Sequence, residues 1–200
     1  IEIGGKRVLD LAGLAIDDVE LIDLYSCFPS AVQLGAQSLG IDLMRRQWSR
    51  TGGLPFCGGP WNNYSMHAIA TMVGELRDRP GASGLVWANG GYVTKHAFGV
   101  YSTTPPANGF THEYPQSEID ALPRREVVTG IDAAGSADVE AYSVMFSRDG
   151  EPERALAACL LGDGRRAWGT SDDPAIAAAM CDGEWVGITI DLDQAGALRI

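Results

Sequence analysis

The stretch Thr51–Tyr64, TGGLPFCGGPWNNY, decides how this chain is read. Gly52, Gly53, Pro55, Gly58, Gly59 and Pro60 all fall between positions 52 and 60. Glycine reaches positive φ and lets a ligand come close to the backbone. Beyond it Met66, Ile69, Val73 and Leu76 recur at helical spacing. Asn62 or Asn63 is the residue type that caps such a helix. A constrained glycine loop that feeds a helix N-terminus offers free N–H groups and a favourable dipole to an anion or a polarised carbonyl. The same pattern also describes a sharp loop with no ligand, because glycine-rich loops are non-specific.

Working outward, Lys6–Ala15 reads as a short helical or irregular segment interrupted by Gly13, and Val19–Leu24 as a buried strand. That strand stops at Tyr25-Ser26-Cys27-Phe28-Pro29, and Pro29 suits the start of a helix over Ser30–Leu39 that ends at Gly40. After the glycine loop come a helix over Tyr64–Arg77, a Pro80-Gly81 turn, a strand over Leu85–Ala88, a tight turn at Asn89–Tyr92 and a strand over Val93–Tyr101. This order predicts an α/β layer. Ser102–Pro123, with Pro105, Pro106, Pro115 and Pro123, reads as a linker or wrapping arm. Short strands follow at Glu126–Thr129, Val139–Phe146, Arg154–Leu161, Arg165–Gly169 and Trp185–Ile190, with a helix over Asp173–Met180. Asp149-Gly150 and Asp163-Gly164 are hairpin signals. The expected organisation is an α/β domain over 1–106, a linker over 107–124, and a small antiparallel β-barrel of OB type over 125–200.

Composition narrows the function classes. The chain has 200 residues, 46% of them hydrophobic, and a net charge of −11. That charge argues against nonspecific nucleic-acid binding and against an anionic membrane surface. No apolar run of membrane-spanning length appears, and no signal peptide is expected. The chain begins at Ile1, which leads us to expect a missing N-terminal part. Cys27, Cys57, Cys159 and Cys181 form no CxxC pair, which suits free thiols in a reducing cytoplasm. His67, His96 and His112 are not spaced with them as zinc ligands, so no metal site is expected.

Three motifs in order resemble the C-terminal half of the thiolase superfamily, in its sterol-carrier-type, thiolase-like branch. A strand followed by Tyr25-Ser26-Cys27-Phe28 and a helix matches the family's Asn-Glu-Ala-Phe or His-Asp-Cys-Phe motif. Gly52-Gly53, four residues, Gly58-Gly59-Pro60 and a helix match its Gly-Gly and Gly-His-Pro pair, and Ala88-Asn89-Gly90-Gly91 matches its Cys-x-Gly-Gly. The resemblance covers roughly Ile1–Pro106. The segment after the linker resembles the extra small β-domain of some thiolase-like proteins.

The resemblance implies an acetyl-CoA acetyltransferase-like acyltransferase. It would act on a coenzyme A thioester, with CoA as substrate moiety and no permanently bound cofactor. The N-terminal half of the fold would come from the same polypeptide or a partner subunit. The departures are equally informative. Gly59 stands where the family has its thioester-polarising histidine, Ala88 where it has its acid/base cysteine, and Tyr25 where it has a water-orienting Asn or His. Gly90 matches a glycine whose N–H completes an oxyanion hole, a role that needs no side chain. The acid/base candidates are therefore Tyr25, His96 and His67. The candidates for holding substrate or CoA are Gly59, Asn63, Asn89 and Gly90. Cys27 and Cys57 are expected to be buried fillers, with Cys57 close enough to the site to react as a thiolate. Arg165-Arg166 reads as a solvated hairpin flank or as a contact to a CoA phosphate. Two other functions fit the same residues: a non-catalytic thioester-binding or scaffold subunit, and a thiolase-like retro-aldolase.

Overall fold

The computed structural model describes residues 1–200, which divide into two compact units, Ile1–Ala121 and Leu122–Ile200. In the first unit, helix α1 (Glu2–Ala12) is closed by Gly13 in the left-handed region. A 3-10 turn at Ile16–Asp18 leads into strand β1 (Leu21–Asp23). Helix α2 (Pro29–Leu39) carries its proline in the first turn and ends at left-handed Gly40. A short helix α3 (Leu54–Cys57) and a 3-10 turn (Trp61–Asn63) precede helix α4 (Tyr64–Arg77). Strands β2 (Ser83–Gly90) and β3 (Lys95–Ser102) complete a three-stranded sheet, β1-β2-β3, in which β1 runs parallel and β3 antiparallel to β2.

Alternation along β1 and β2 buries both faces of this sheet. Ile22, Leu24, Leu85 and Trp87 pack with Leu9 of α1 and Val32, Ala36 and Leu39 of α2. Leu21 and Val86 pack on the opposite side with Ala68, Met72 and Leu76 of α4. Two glycines set the spacing of these layers. A Cβ at Gly84 would overlap the Met72 sulfur, and one at Gly35 would overlap the Trp87 ring. The proline-rich arm is more ordered than expected: it contains helix α5 (Gln116–Asp120), and Arg7 of α1 ties it down through Glu113 and Glu118.

The second unit is a curled antiparallel sheet of strands β4 (Gly135–Phe146), β5 (Pro152–Leu161), β6 (Arg166–Ser171), β7 (Thr189–Leu192) and β8 (Leu198–Arg199), in the order β6-β5-β4-β7-β8. The expected barrel is a half-barrel. Its edge strands meet through one parallel bridge, Thr170 to Ala197, in place of a full ladder. The expected strand at Glu126–Thr129 is reduced to a bridge from Val127 to Arg166, because its neighbours leave into a 3-10 turn at Gly130–Ala133. The strand placed at Trp185–Ile190 starts late, at Thr189, because Gly187 has φ 82 and Trp185–Ile188 forms a turn. Inside the curl lie Val139, Ala155, Ala157, Cys159, Ile190 and Leu192, with Ala177 and Met180 of helix α6 (Pro174–Cys181) closing one side. Asp173 caps α6 by accepting the Ala175 N–H at 2.8 Å. No helix in the chain is long and apolar enough to cross a membrane.

Candidate functional site

The carboxyl ends of β1 and β2, which are parallel, open onto the same side of the first unit, where α4 begins. Ligands in α/β sheets sit outside such strand ends. Here the space is a cleft of about 430 Å³. Tyr25 enters it from beyond β1, and Ala88, Asn89, Gly90 and Gly91 from the end of β2. Leu54, Gly59, Trp61 and Asn62 come from the glycine loop, and Tyr64 and Ser65 from the first turn of α4.

Asp23, fully buried at the end of β1, holds the loop against the sheet. Its carboxylate accepts the Ser49 hydroxyl at 3.1 Å, the Arg50 N–H at 2.8 Å and both the N–H and hydroxyl of Thr51 at 3.2 Å. The Thr51 hydroxyl lies 2.8 Å from the buried Tyr64 hydroxyl and accepts the Gly53 N–H at 3.1 Å. The Ser26 hydroxyl accepts the Leu54 N–H at 3.1 Å, which satisfies the start of α3, and a Cβ on Gly53 would come within 2.7 Å of it. Nothing in the sequence pattern pointed to Asp23. A carboxylate inside the strand-like run VELIDL is the one signal that could have, since a buried charge needs several donors.

The candidates separate on this geometry. Tyr25, Gly59, Asn89 and Gly90 line the cleft; Asn63, His67 and His96 do not. Asn63 makes no capping bond, because the 3-10 turn runs straight into α4 and leaves Asn63 itself helical, at φ −104° and ψ −2°. His67 packs edge-on against Tyr64, ring centroids 6.3 Å apart. His96 is committed elsewhere. Its Nδ1 accepts the Trp87 indole N–H at 3.2 Å, its Nε2 lies 3.1 Å from the Val93 carbonyl oxygen, and the ring stacks on Trp87. With Nδ1 accepting, Nε2 carries the proton and donates to Val93. Burial, helped by the charge on the Ile1 ammonium, lowers the His96 pKa and keeps the ring neutral. Both nitrogens are thus occupied, and His96 serves the turn Gly91–Thr94 that follows the cleft-lining end of β2. Tyr25 meets Tyr64 edge to face at 5.2 Å. Burial, and then the neighbouring Cys27, raises the Tyr25 pKa, so the phenol stays protonated and can donate a proton but is a poor base.

The remaining side chains are plainly placed. Cys27 is exposed, contrary to expectation, because Phe28 and Pro29 carry the chain outward into α2; it accepts the Asn89 amide N–H at 3.6 Å. The Asn89 Oδ1 is buried without a partner. Cys57 is half-buried and its thiol donates to the Thr51 carbonyl at 3.6 Å. Arg165 pairs with Asp163 and Arg166 with Glu140, both at 2.7 Å, so each guanidinium already faces a carboxylate. Trp61 is 91% exposed at the lip of the cleft and has φ 51°, an outlier for an aromatic residue that costs about 1–3 kcal/mol.

A family model described as the thiolase-like protein type 1 additional C-terminal domain matches residues 115–197. The fold is similar to the crystal structure of a monomeric SCP2-thiolase-like protein type 1 from Mycobacterium smegmatis, with 36% identity over 97% of this chain and a TM-score of 0.85. The chain carries a thiolase-superfamily C-terminal domain. It spans 43% of the length of that solved relative and carries a C-terminal thiolase-like part. No curated protein matches it. Gly59 and Ala88, the positions at which the sequence resemblance implies a histidine and a cysteine, both line the cleft.

Proposed function

We propose that this thiolase-like chain binds a coenzyme A thioester in the cleft at the ends of β1 and β2, without supplying thiolase acid/base chemistry. The thioester carbonyl would lie between the Gly90 N–H and the first turn of α4, where backbone donors and the helix dipole favour a polarised oxygen. One observation carries this reading: Gly59 and Ala88 leave the cleft without the family's polarising and proton-moving side chains, and the nearby histidines do not replace them. Of the functions anticipated from sequence, the acyltransferase needs those side chains and the binding or scaffold role does not. Coenzyme A is then a ligand moiety, and the N-terminal thiolase half is the partner that would complete the site. The strand order of the second unit, with α6 between β6 and β7, supports its reading as an OB-like, partly open barrel. Free thiols at exposed Cys27 and Cys181 support a reducing compartment such as the cytoplasm.

The test is calorimetric titration of the full-length protein with CoA and acetyl-CoA, together with a thiolysis assay on a 3-ketoacyl-CoA. Saturable binding with thiolysis at background is the expected pair of results. Thiolysis would overturn the binding role, and absence of binding would overturn the thioester reading. A second reading, carbon–carbon cleavage beside the thioester, draws on Tyr25 standing in the cleft as a protonated phenol. It predicts turnover of a 3-hydroxyacyl-CoA that Tyr25→Phe abolishes.

A further inference from the structure

The arm that leaves β3 is held by charge. Residues 102–114 are all exposed, and from Phe110 to Tyr114 no backbone group bonds to another. Helix α5, which follows, is five residues long and has no side-chain cap. A helix this short is marginal in water by itself. What meets it is Arg7 of α1, whose guanidinium reaches Glu118 at 2.8 Å and Glu113 as well. A groove of about 310 Å³ runs between the two helices, lined by Ile3, Lys6, Arg7 and Asp10 of α1 and by Glu118 of α5. At this point the helices therefore meet through charges and not through packed apolar side chains. The Arg7, Glu113 and Glu118 side chains are 36%, 44% and 53% exposed. Ion pairs in that setting contribute little each and are screened by salt. Asp10, one turn along α1, also attracts Arg7. The guanidinium thus keeps a carboxylate neighbour when the arm leaves, which lowers the cost of opening.

We propose that Arg7, Glu113 and Glu118 form a salt-sensitive clasp with two states. Closed, the clasp orders α5 and pins the arm to α1. Open, α5 melts and the chain from Thr103 to Ala121 comes free. That segment is on the order of 20 residues and spans about 25 Å, root mean square, as a flexible coil. The first unit ends at Ala121, so the clasp sets how much slack chain precedes the second unit.

The experiment follows backbone hydrogen exchange of the full-length protein by mass spectrometry. It compares about 0.01 M with about 1 M salt, where the Debye length is about 30 Å and about 3 Å. At low salt the Ile119 and Ala121 amides, bonded to the Pro115 and Ser117 carbonyls, should be protected. At high salt their exchange should speed up several-fold while α4 stays unchanged. Arg7→Gln should exchange fast in this segment at both salt concentrations. If Arg7→Gln also speeds exchange in α4, the first unit has been disturbed, and Glu113→Gln with Glu118→Gln, both on the arm side, gives the reading instead. Exchange of α5 that ignores salt in the unaltered protein overturns the clasp. So does exchange as slow in the double variant as in the unaltered protein.

Discussion

The two units handle backbone strain in opposite ways. In the second unit every residue with positive φ is a glycine: Gly130, Gly135, Gly150, Gly164, Gly183, Gly187 and Gly196. In the first, Trp61, Tyr92 and Val93 also have positive φ, at 51°, 49° and 62°. All three sit in the two loops that border the cleft. Val93 is β-branched, the type least suited to this region. The chain therefore meets its turns in the half-barrel with the residue that costs least, and around the cleft it does not. Strain of this kind persists only where surrounding contacts over-determine it. Those contacts are visible: the Asp23 network behind the glycine loop, and the Trp87–His96–Val93 relay behind the turn.

The largest way to break the contrast is Asp23→Ala. It strands several buried donors at once and should lower stability by about 3–5 kcal/mol, read from urea unfolding, with loss of acyl-CoA binding. Gly35→Ala drives a methyl into the Trp87 ring, and overpacking of this kind should cost about 1–3 kcal/mol in the same measurement. Opposite signs are expected for a matched pair. Val93→Gly relieves a left-handed residue and should stabilise by about 1 kcal/mol. Gly150→Ala, at φ 87° in open space, should destabilise by about 1–2 kcal/mol. If Val93→Gly destabilises, the strain assigned to the cleft is not there.

The smallest expected effect is a pH slope from His96. Its folded pKa lies below the ordinary 6.5, so the unfolded chain binds its proton first. This contribution is fully present above pH 6.5 and is lost as pH falls through the folded value. Unfolding curves from pH 7.5 down to 5 should show the loss, and His96→Gln should remove that part of it.

Legibility follows the same division. The helices after Pro29 and Tyr64, and the hairpins at Asp149-Gly150 and Asp163-Gly164, are written in local chemistry: a proline in the first turn, apolar residues at helical spacing, glycine where φ is positive. The cleft was half legible. The positions of Gly59, Ala88 and Gly90 follow from motif spacing, because spacing survives when side chains change. The partners of His96 were not legible, because hydrogen-bonding capacity cannot show which partner takes it: Trp87, nine residues earlier, reaches His96 only through the β2–β3 pairing.

The sequence by itself determined the order of most elements and the small residues, Gly59 and Ala88, that line the cleft. These rest on residue type and periodicity, which act over a few neighbours. Only the tertiary structure decided that Asp23 anchors the glycine loop, that Trp87 and Val93 take both ring nitrogens of His96, and that burial raises the pKa of Tyr25 at the cleft. Each of those depends on burial and on partners brought together from distant parts of the chain.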